Sequence, residues 1–317
     1  MRYSLLFLPL FLVTLSSSIV GQGDTTNNSP LTEVLGYPAG TKLLIVHADD
    51  LAVTHATNVA SIAALEKGSV SSASVMANCP WLPEVAGWAR GNPGHDLGMH
   101  LVLTSEWRKL RWGSVASSDQ VSSLLDSSGY LKPLCATLYE TATAEEVGIE
   151  IRAQIDKARS LGLEPTHLDS HMGCLVYNPD FFRVYMEVSR EYNIPAMVSR
   201  GEVLAAGEAW RACIRPEDLV IDHIYTAGMP DYERSLDTYY REVLANLEAG
   251  VSVLLIHTAL DGAESAAMAG GVDGWGNRWR QQDYNFFTSD DFLDILKDQN
   301  IQLTTWREVN QRWKARK

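Results

Sequence analysis

Asp49 and Asp50, two adjacent carboxylates, close the short apolar run Leu43-Leu44-Ile45-Val46 of this 317-residue chain. Neighbouring carboxylates repel, and a bound metal ion is one agent that keeps at least one of them ionised. A plainer reading makes them caps of the following helix, since Asp is a favoured N-cap. Histidines further along favour the metal. Other short apolar runs also end in polar groups: His100, His171, Arg200 and His257. Two neutral imidazoles and one carboxylate form a common three-ligand set for catalytic zinc, which keeps its fourth position open. Mg²⁺, Co²⁺ or Ni²⁺ would also suit such donors, because ligand type alone rarely fixes the metal. Of the remaining candidates, His47 is expected to point away, as packing or support. His167 shares a strand face with His171 but at a distance from it. Asp169 is placed to orient a histidine. Cys174 makes only an isolated His-x-x-Cys pair with His171, a weak metal signal.

Residues so far apart in sequence converge only if the elements carrying them do. From Lys42 onward, short apolar runs alternate with amphipathic helical patterns. Helices are expected from Thr54 or His55 to Lys67 with Gly68 as cap, over Ala144 to Leu161, and from an Asn178 cap with Pro179 at its first position. Val147, Ile151, Ile155 and Ala158 mark the buried face of the second. Strands are expected near 43–50, 70–76, 96–103, 166–171, 194–198, 219–224, 251–256 and 301–304. Repeated βα units imply parallel pairing with right-handed crossovers. The expected fold is α/β, a single TIM-like (β/α) barrel that need not be regular, with an open doubly wound sheet as the alternative. Such barrels put their chemistry at the C-terminal ends of the strands. The Ser- and Trp-rich stretch 104–143 breaks the rhythm and reads as a lid or binding loop. Trp107, Trp112, Trp275 and Trp279 lie in the two long loops, either to offer stacking faces to a ligand or to pack the loops.

Composition bounds the function. A formal net charge of −13 argues against nucleic acid, which needs a basic footprint. Residues 1–21 read as a secretory signal peptide: Arg2, an apolar stretch from Leu5 to Leu15, and a small-residue exit. Residues 22–40 read as a flexible tail, and 41–317 as the barrel domain. Export to the periplasm or beyond follows, with no integral membrane segment after processing. An exported chain permits disulfides, but the pairing of Cys79, Cys135, Cys174 and Cys213 is not readable, and four lone buried thiols fit nearly as well.

Five segments in order resemble the YdjC-like carbohydrate deacetylases, the family that includes chitooligosaccharide deacetylase and the hopanoid-associated HpnK proteins. They are His47-Ala48-Asp49-Asp50 with Asn58 downstream, the stretch Gly68 to Asn78, Leu97 to Thr104, Thr166 to His171, and the strand ending in His257. The resemblance implies one divalent ion, zinc first, held by Asp50, His100 and His171. It implies Asp49 as general base, Arg200 as the arginine that holds that carboxylate, and His257 as general acid. The implied reaction is hydrolytic removal of N-acetyl groups from an amino sugar or oligosaccharide. The chain departs from the family after Asp169-Ser170-His171, where Gly173 and Cys174 replace further histidines, and at His257-Thr258, where His-Pro is usual. The rival readings are another metal-dependent esterase or phosphodiesterase on this scaffold, or an inactive exported carbohydrate-binding protein. No Gly-x-Ser-x-Gly elbow supports a serine hydrolase.

Overall fold

The computed structural model describes residues 29–270 and 274–316, so the expected signal peptide lies outside the described residues. Among the described residues, seven parallel strands form one sheet. They are β1 (Lys42–Leu51), β2 (Ser72–Val75), β3 (Leu97–Leu101), β4 (Leu168–Ser170), β5 (His223–Thr226), β6 (Gly250–Ile256) and β7 (Ile301–Leu303). Their order is β4-β3-β2-β1-β6-β5, and β1 is the axis of the sheet. One edge of β1 pairs with β6 from Lys42 to Ala48. The other edge is shared, β7 taking Lys42 to Leu44 and β2 taking His47 to Leu51. Single parallel bridges, Leu168 to Ala196 and Ser199 to Ile221, join β4 round towards β5. The sheet therefore curls into an irregular (β/α) barrel whose seam is held by isolated bridges. The run 194–198, expected as a full strand, contributes only the bridge at Ala196, and part of its hydrogen bonding goes to the Tyr185 hydroxyl.

Side chains alternate across a strand, and here alternation separates two cores. Leu43 and Ile45 on β1 face Val251 and Val253 on β6, Leu31 and Trp306 in a smaller cluster, while Leu44, Val46 and Ala48 pack under the helices. His47 and Asp49 continue the Leu43–Ile45 row. The barrel interior thus changes from aliphatic to ionisable along one strand. In β3, Gly98 and His100 alternate with the core residues Leu97, Met99 and Leu101. A Cβ at Gly98 would come within 2.3 Å of the His167 ring, so that close approach requires glycine. His167 in turn stacks on Trp306, with ring centroids 5.1 Å apart. It is a core residue beneath the site.

The helices follow their sequence signals closely. His55–Lys67 is capped by the Thr54 side chain and ends on a left-handed Gly68. Ala144–Ser160 buries Val147, Ile151, Ile155 and Ala158. Pro179–Tyr192 begins at Asn178, whose side chain accepts from two backbone N–H groups. Gly250 is the first residue of β6. Regular structure is also present before the expected boundary at residue 41. Leu31–Val34 is helical, Leu31 is buried, and its N–H donates to the Asp222 carboxylate at 2.9 Å. Leu31 and Leu35 are buried in the smaller cluster, which fixes this segment against the barrel.

Candidate active site

The site begins with a defect in β1. Ala48 pairs with Ala73 and Leu51 with Val75, so three steps along β1 match two along β2. The extra residue falls at Asp49-Asp50, a β-bulge. Asp50 takes a left-handed backbone (φ 69°), as does Ala52 (φ 81°). In a regular strand these neighbouring carboxylates would point to opposite faces; the bulge turns Asp50 back to the side of Asp49. Asn58 helps to fix the distortion. Its Oδ1 accepts from the Ala52 N–H at 2.7 Å, and its Nδ2 donates to Glu84 at 2.7 Å.

Three donor atoms converge beside the bulge. Asp50 Oδ1 lies 3.2 Å from His100 Nε2 and 3.4 Å from His171 Nδ1, and the two imidazole nitrogens are 3.1 Å apart. Tetrahedral ligands at about 2.0–2.2 Å from an ion would be about 3.3–3.6 Å from one another, close to this triangle. Each imidazole is oriented by a carboxylate behind it. His100 Nδ1–H donates to Asp169 at 2.7 Å, and His171 Nε2–H donates to Glu106 at 3.0 Å. Those bonds leave His100 Nε2 and His171 Nδ1 with lone pairs aimed inward, the usual support of metal-binding histidine. Asp50 Oδ1 is buried and hydrogen-bonds to nothing among the described residues. A buried orphan acceptor facing two imidazoles is what a cation would satisfy. The donor set fits a divalent ion.

The remaining oxygen of Asp50 receives Arg280 Nη2 at 2.6 Å, both side chains being fully buried. Burial opposes the charge on Asp50, but the Arg280 guanidinium outweighs it and holds the carboxyl well below its usual range. Asp49 occupies a different branch of the network. Its Oδ1 is 3.0 Å from His47 Nε2, which is also 2.8 Å from Asp169 Oδ2. Burial opposes protonation of His47, yet Asp169 and Asp49 raise its pKa to about 9. His47, expected to point away, therefore ties Asp49 to the carboxylate that orients His100. Asp49 Oδ2 faces His257 Nε2 at 3.7 Å. Burial pushes His257 down to about 4, so the imidazole is neutral near pH 7. The His257 backbone N–H donates to Asp283, whose carboxyl burial raises to about 7.

Asp49, Asp50, His100, His171 and His257 are thus brought together as the sequence suggested. Arg200 is not among them. It opens the helix Arg200–Ala206, reaches Ser29 O at 3.4 Å and lies 3.6 Å from Asp222. Asp222 accepts from the N–H of Val251, at the start of β6, so Arg200 sits at the N-terminal end of that strand and far from its C-terminal His257. The stagger that pairs Ser199 with Ile221 brings the end of one run level with the beginning of the next. The arginine of the site is Arg280, which points at Asp50 rather than Asp49. It comes from the helix Asn277–Phe287, and the sequence offered no signal to single it out. Glu106 was missed for the same reason, standing in the long insertion.

The tryptophans divide. Trp112 and Trp279 are buried, Trp112 donating to Thr104 O at 2.8 Å and Trp279 stacking between Trp275 and Tyr232. Trp107, under the Arg280 guanidinium, and Trp275 are half-buried and retain surface for a ligand. Cys174 is joined to Cys135 in a disulfide, while Cys79 and Cys213 are free.

Comparison with known proteins agrees with this architecture. The model of the family described as YdjC-like protein matches residues 43–298. A carbohydrate deacetylase from Thermus thermophilus is 33% identical over 287 residues, covering 89% of this chain and 98% of that protein. A carbohydrate deacetylase from Thermoanaerobacter pseudethanolicus is 26% identical over 274 residues, covering 84% and 98%. In structure the chain resembles an Enterococcus faecalis protein described as a putative cellobiose-phosphate cleavage protein, with TM-score 0.71, 22% identity and 85% and 99% coverage, which establishes a shared fold. With the family match spanning most of the chain, this protein belongs to the YdjC-like family.

Proposed function

We propose that the protein is a metal-dependent carbohydrate deacetylase that hydrolyses the N-acetyl group of an amino sugar or oligosaccharide. The observation that carries this reading is the orphan Asp50 Oδ1 converging with His100 Nε2 and His171 Nδ1, with Asp49 next to it. The deacetylase relatives supply the reaction class. A divalent ion, zinc first by its donor preference, would supply Lewis acidity that acidifies water and polarises the acetyl carbonyl.

The chain's own residues do the proton work. Asp49 takes a proton from the attacking water as general base. As the tetrahedral adduct collapses, its C–N bond breaks and the sugar nitrogen needs a proton. His257, neutral at rest, lies 3.7 Å from Asp49, so it receives that proton from Asp49 and passes it to the leaving amine. His47 holds Asp49 in place. Trp107 and Trp275 offer faces for a sugar ring.

Export fits the same picture: the leader-like residues 1–21 and the Cys135–Cys174 disulfide both suit an oxidising compartment. A panel of N-acetylated chitooligosaccharides, acetyl esters and phosphodiesters tests the substrate class. Acetate release confined to the N-acetyl sugars is the expected outcome. Preferential ester or phosphodiester turnover would move the site to the wider hydrolases, and sugar binding without turnover would leave a binding protein.

A further inference from the structure

His171 is held from two directions, and one of them is covalent. Behind it runs the turn His171–Gly173, in which Met172 (φ 56°) and Gly173 (φ 70°) are both left-handed. Glycine adopts that backbone freely, and here a Cβ would come within 2.4 Å of the Tyr177 ring. Met172 has no such freedom, and its side chain is largely exposed. The strained conformation persists because its ends are fixed. On one side Ser170 ends β4 and its Oγ accepts from the Leu175 N–H at 3.0 Å. On the other, buried Cys174 is bonded to Cys135, with Cα atoms 5.3 Å apart. Cys135 opens the short helix Cys135–Tyr139 of the long insertion, and Tyr139 donates to Cys174 O at 2.9 Å. The same insertion supplies Glu106 to His171 Nε2.

We propose that the Cys135–Cys174 disulfide is a positioning clip for His171, so that opening it lowers the affinity for a divalent ion while the barrel stays folded. The proposal rests on the metal reading above. With the bond intact, the chain from Ser170 to Cys174 closes through two left-handed residues, and the His171 imidazole is aimed at Asp50. When the bond opens, Met172 is released to the right-handed region and the imidazole turns away. Cys135 is only half-buried, which leaves the bond open to thiol exchange. A dithiol would attack one sulfur, the S–S bond would break to two thiols, and the dithiol would close to its own disulfide. Metal loading would then follow the redox state of the compartment.

The test is Co²⁺ titration of the full chain, followed by visible absorption. The oxidised protein should bind, and the Cys135→Ser/Cys174→Ser variant should bind at least tenfold more weakly, the scale of lost support for a metal-binding histidine. Its near-UV circular dichroism should remain that of a folded protein. Met172→Gly in the serine background should recover affinity, because glycine removes the cost of the turn, whereas a cross-link that acted only on the unfolded chain would show no such rescue. If the double variant does not fold, the wild-type chain reduced with a phosphine and freed of it gives the same comparison. Equal affinity with and without the bond overturns the clip but leaves the metal site standing. No Co²⁺ binding by the oxidised wild type overturns both.

Discussion

At Asp49 and its neighbours, one atom decides each role. Asp49→Asn keeps the shape but removes the proton acceptor, so metal content should be unchanged while acetate release falls by about 10²–10⁴. Near-normal turnover in a rate assay would remove Asp49 from the base role. Arg280→Met should act on stability instead. It leaves Asp50 buried without its guanidinium, and the metal-free fold should lose about 3–5 kcal/mol in urea unfolding. His257 carries a pH signature with a definite sign. Its folded pKa of about 4 lies below the ordinary 6.5, so the unfolded chain takes up the proton first as pH falls. Its contribution to stability is full above 6.5 and is withdrawn between 6.5 and 4, amounting to about 2 kcal/mol at pH 5. His257→Gln should therefore lose less stability than wild type between pH 7 and pH 5, and parallel losses would contradict the shift. Asp49, Asp50, His100, His171 and His257 were legible because each ends an apolar run. Arg280 was not: one arginine in a helix after a long loop is indistinguishable in sequence from a solvated one, and Arg200 at a strand end carried the better pattern.

Strand β1 shows what elements add to residues. Alternation along Leu43–Asp50 predicts that Asp49 and Asp50 face opposite ways, and the bulge reverses this for Asp50. Nothing in the local residue types announces the bulge, since a left-handed Asp50 and Ala52 look like ordinary positions. Ala52→Gly should relieve its positive φ and raise stability by about 1 kcal/mol without altering turnover, as urea midpoints would show. A loss of stability would mean that the methyl group packs better than the backbone is strained. The capped helices were legible because Thr54, Gly68, Asn178 and Pro179 act locally. The run 194–198 was misjudged because whether a short apolar run pairs fully depends on neighbours distant in sequence. The same dependence put Arg200 at the wrong end of the barrel.

For the whole molecule, the order of βα units was enough to expect a parallel barrel, and the sheet order β4-β3-β2-β1-β6-β5 delivers the five ionisable groups to one mouth. What the order could not convey is the seam of single bridges, or the packing of Leu31 into the lower core ahead of β1. A net charge of −13 directs attention to small neutral or basic ligands and away from nucleic acid. On the proposed function, Asp50, His100 and His171 hold one divalent ion that deacetylation requires. The most direct test measures metal content and acetate release together, on protein prepared with and without a chelator, using short chitooligosaccharides. The expected result is about one divalent ion per chain, acetate release that disappears on chelation and returns with added metal, and loss of both ion and activity in His100→Ala. A protein that holds no ion, or that releases acetate equally after chelation, would contradict it.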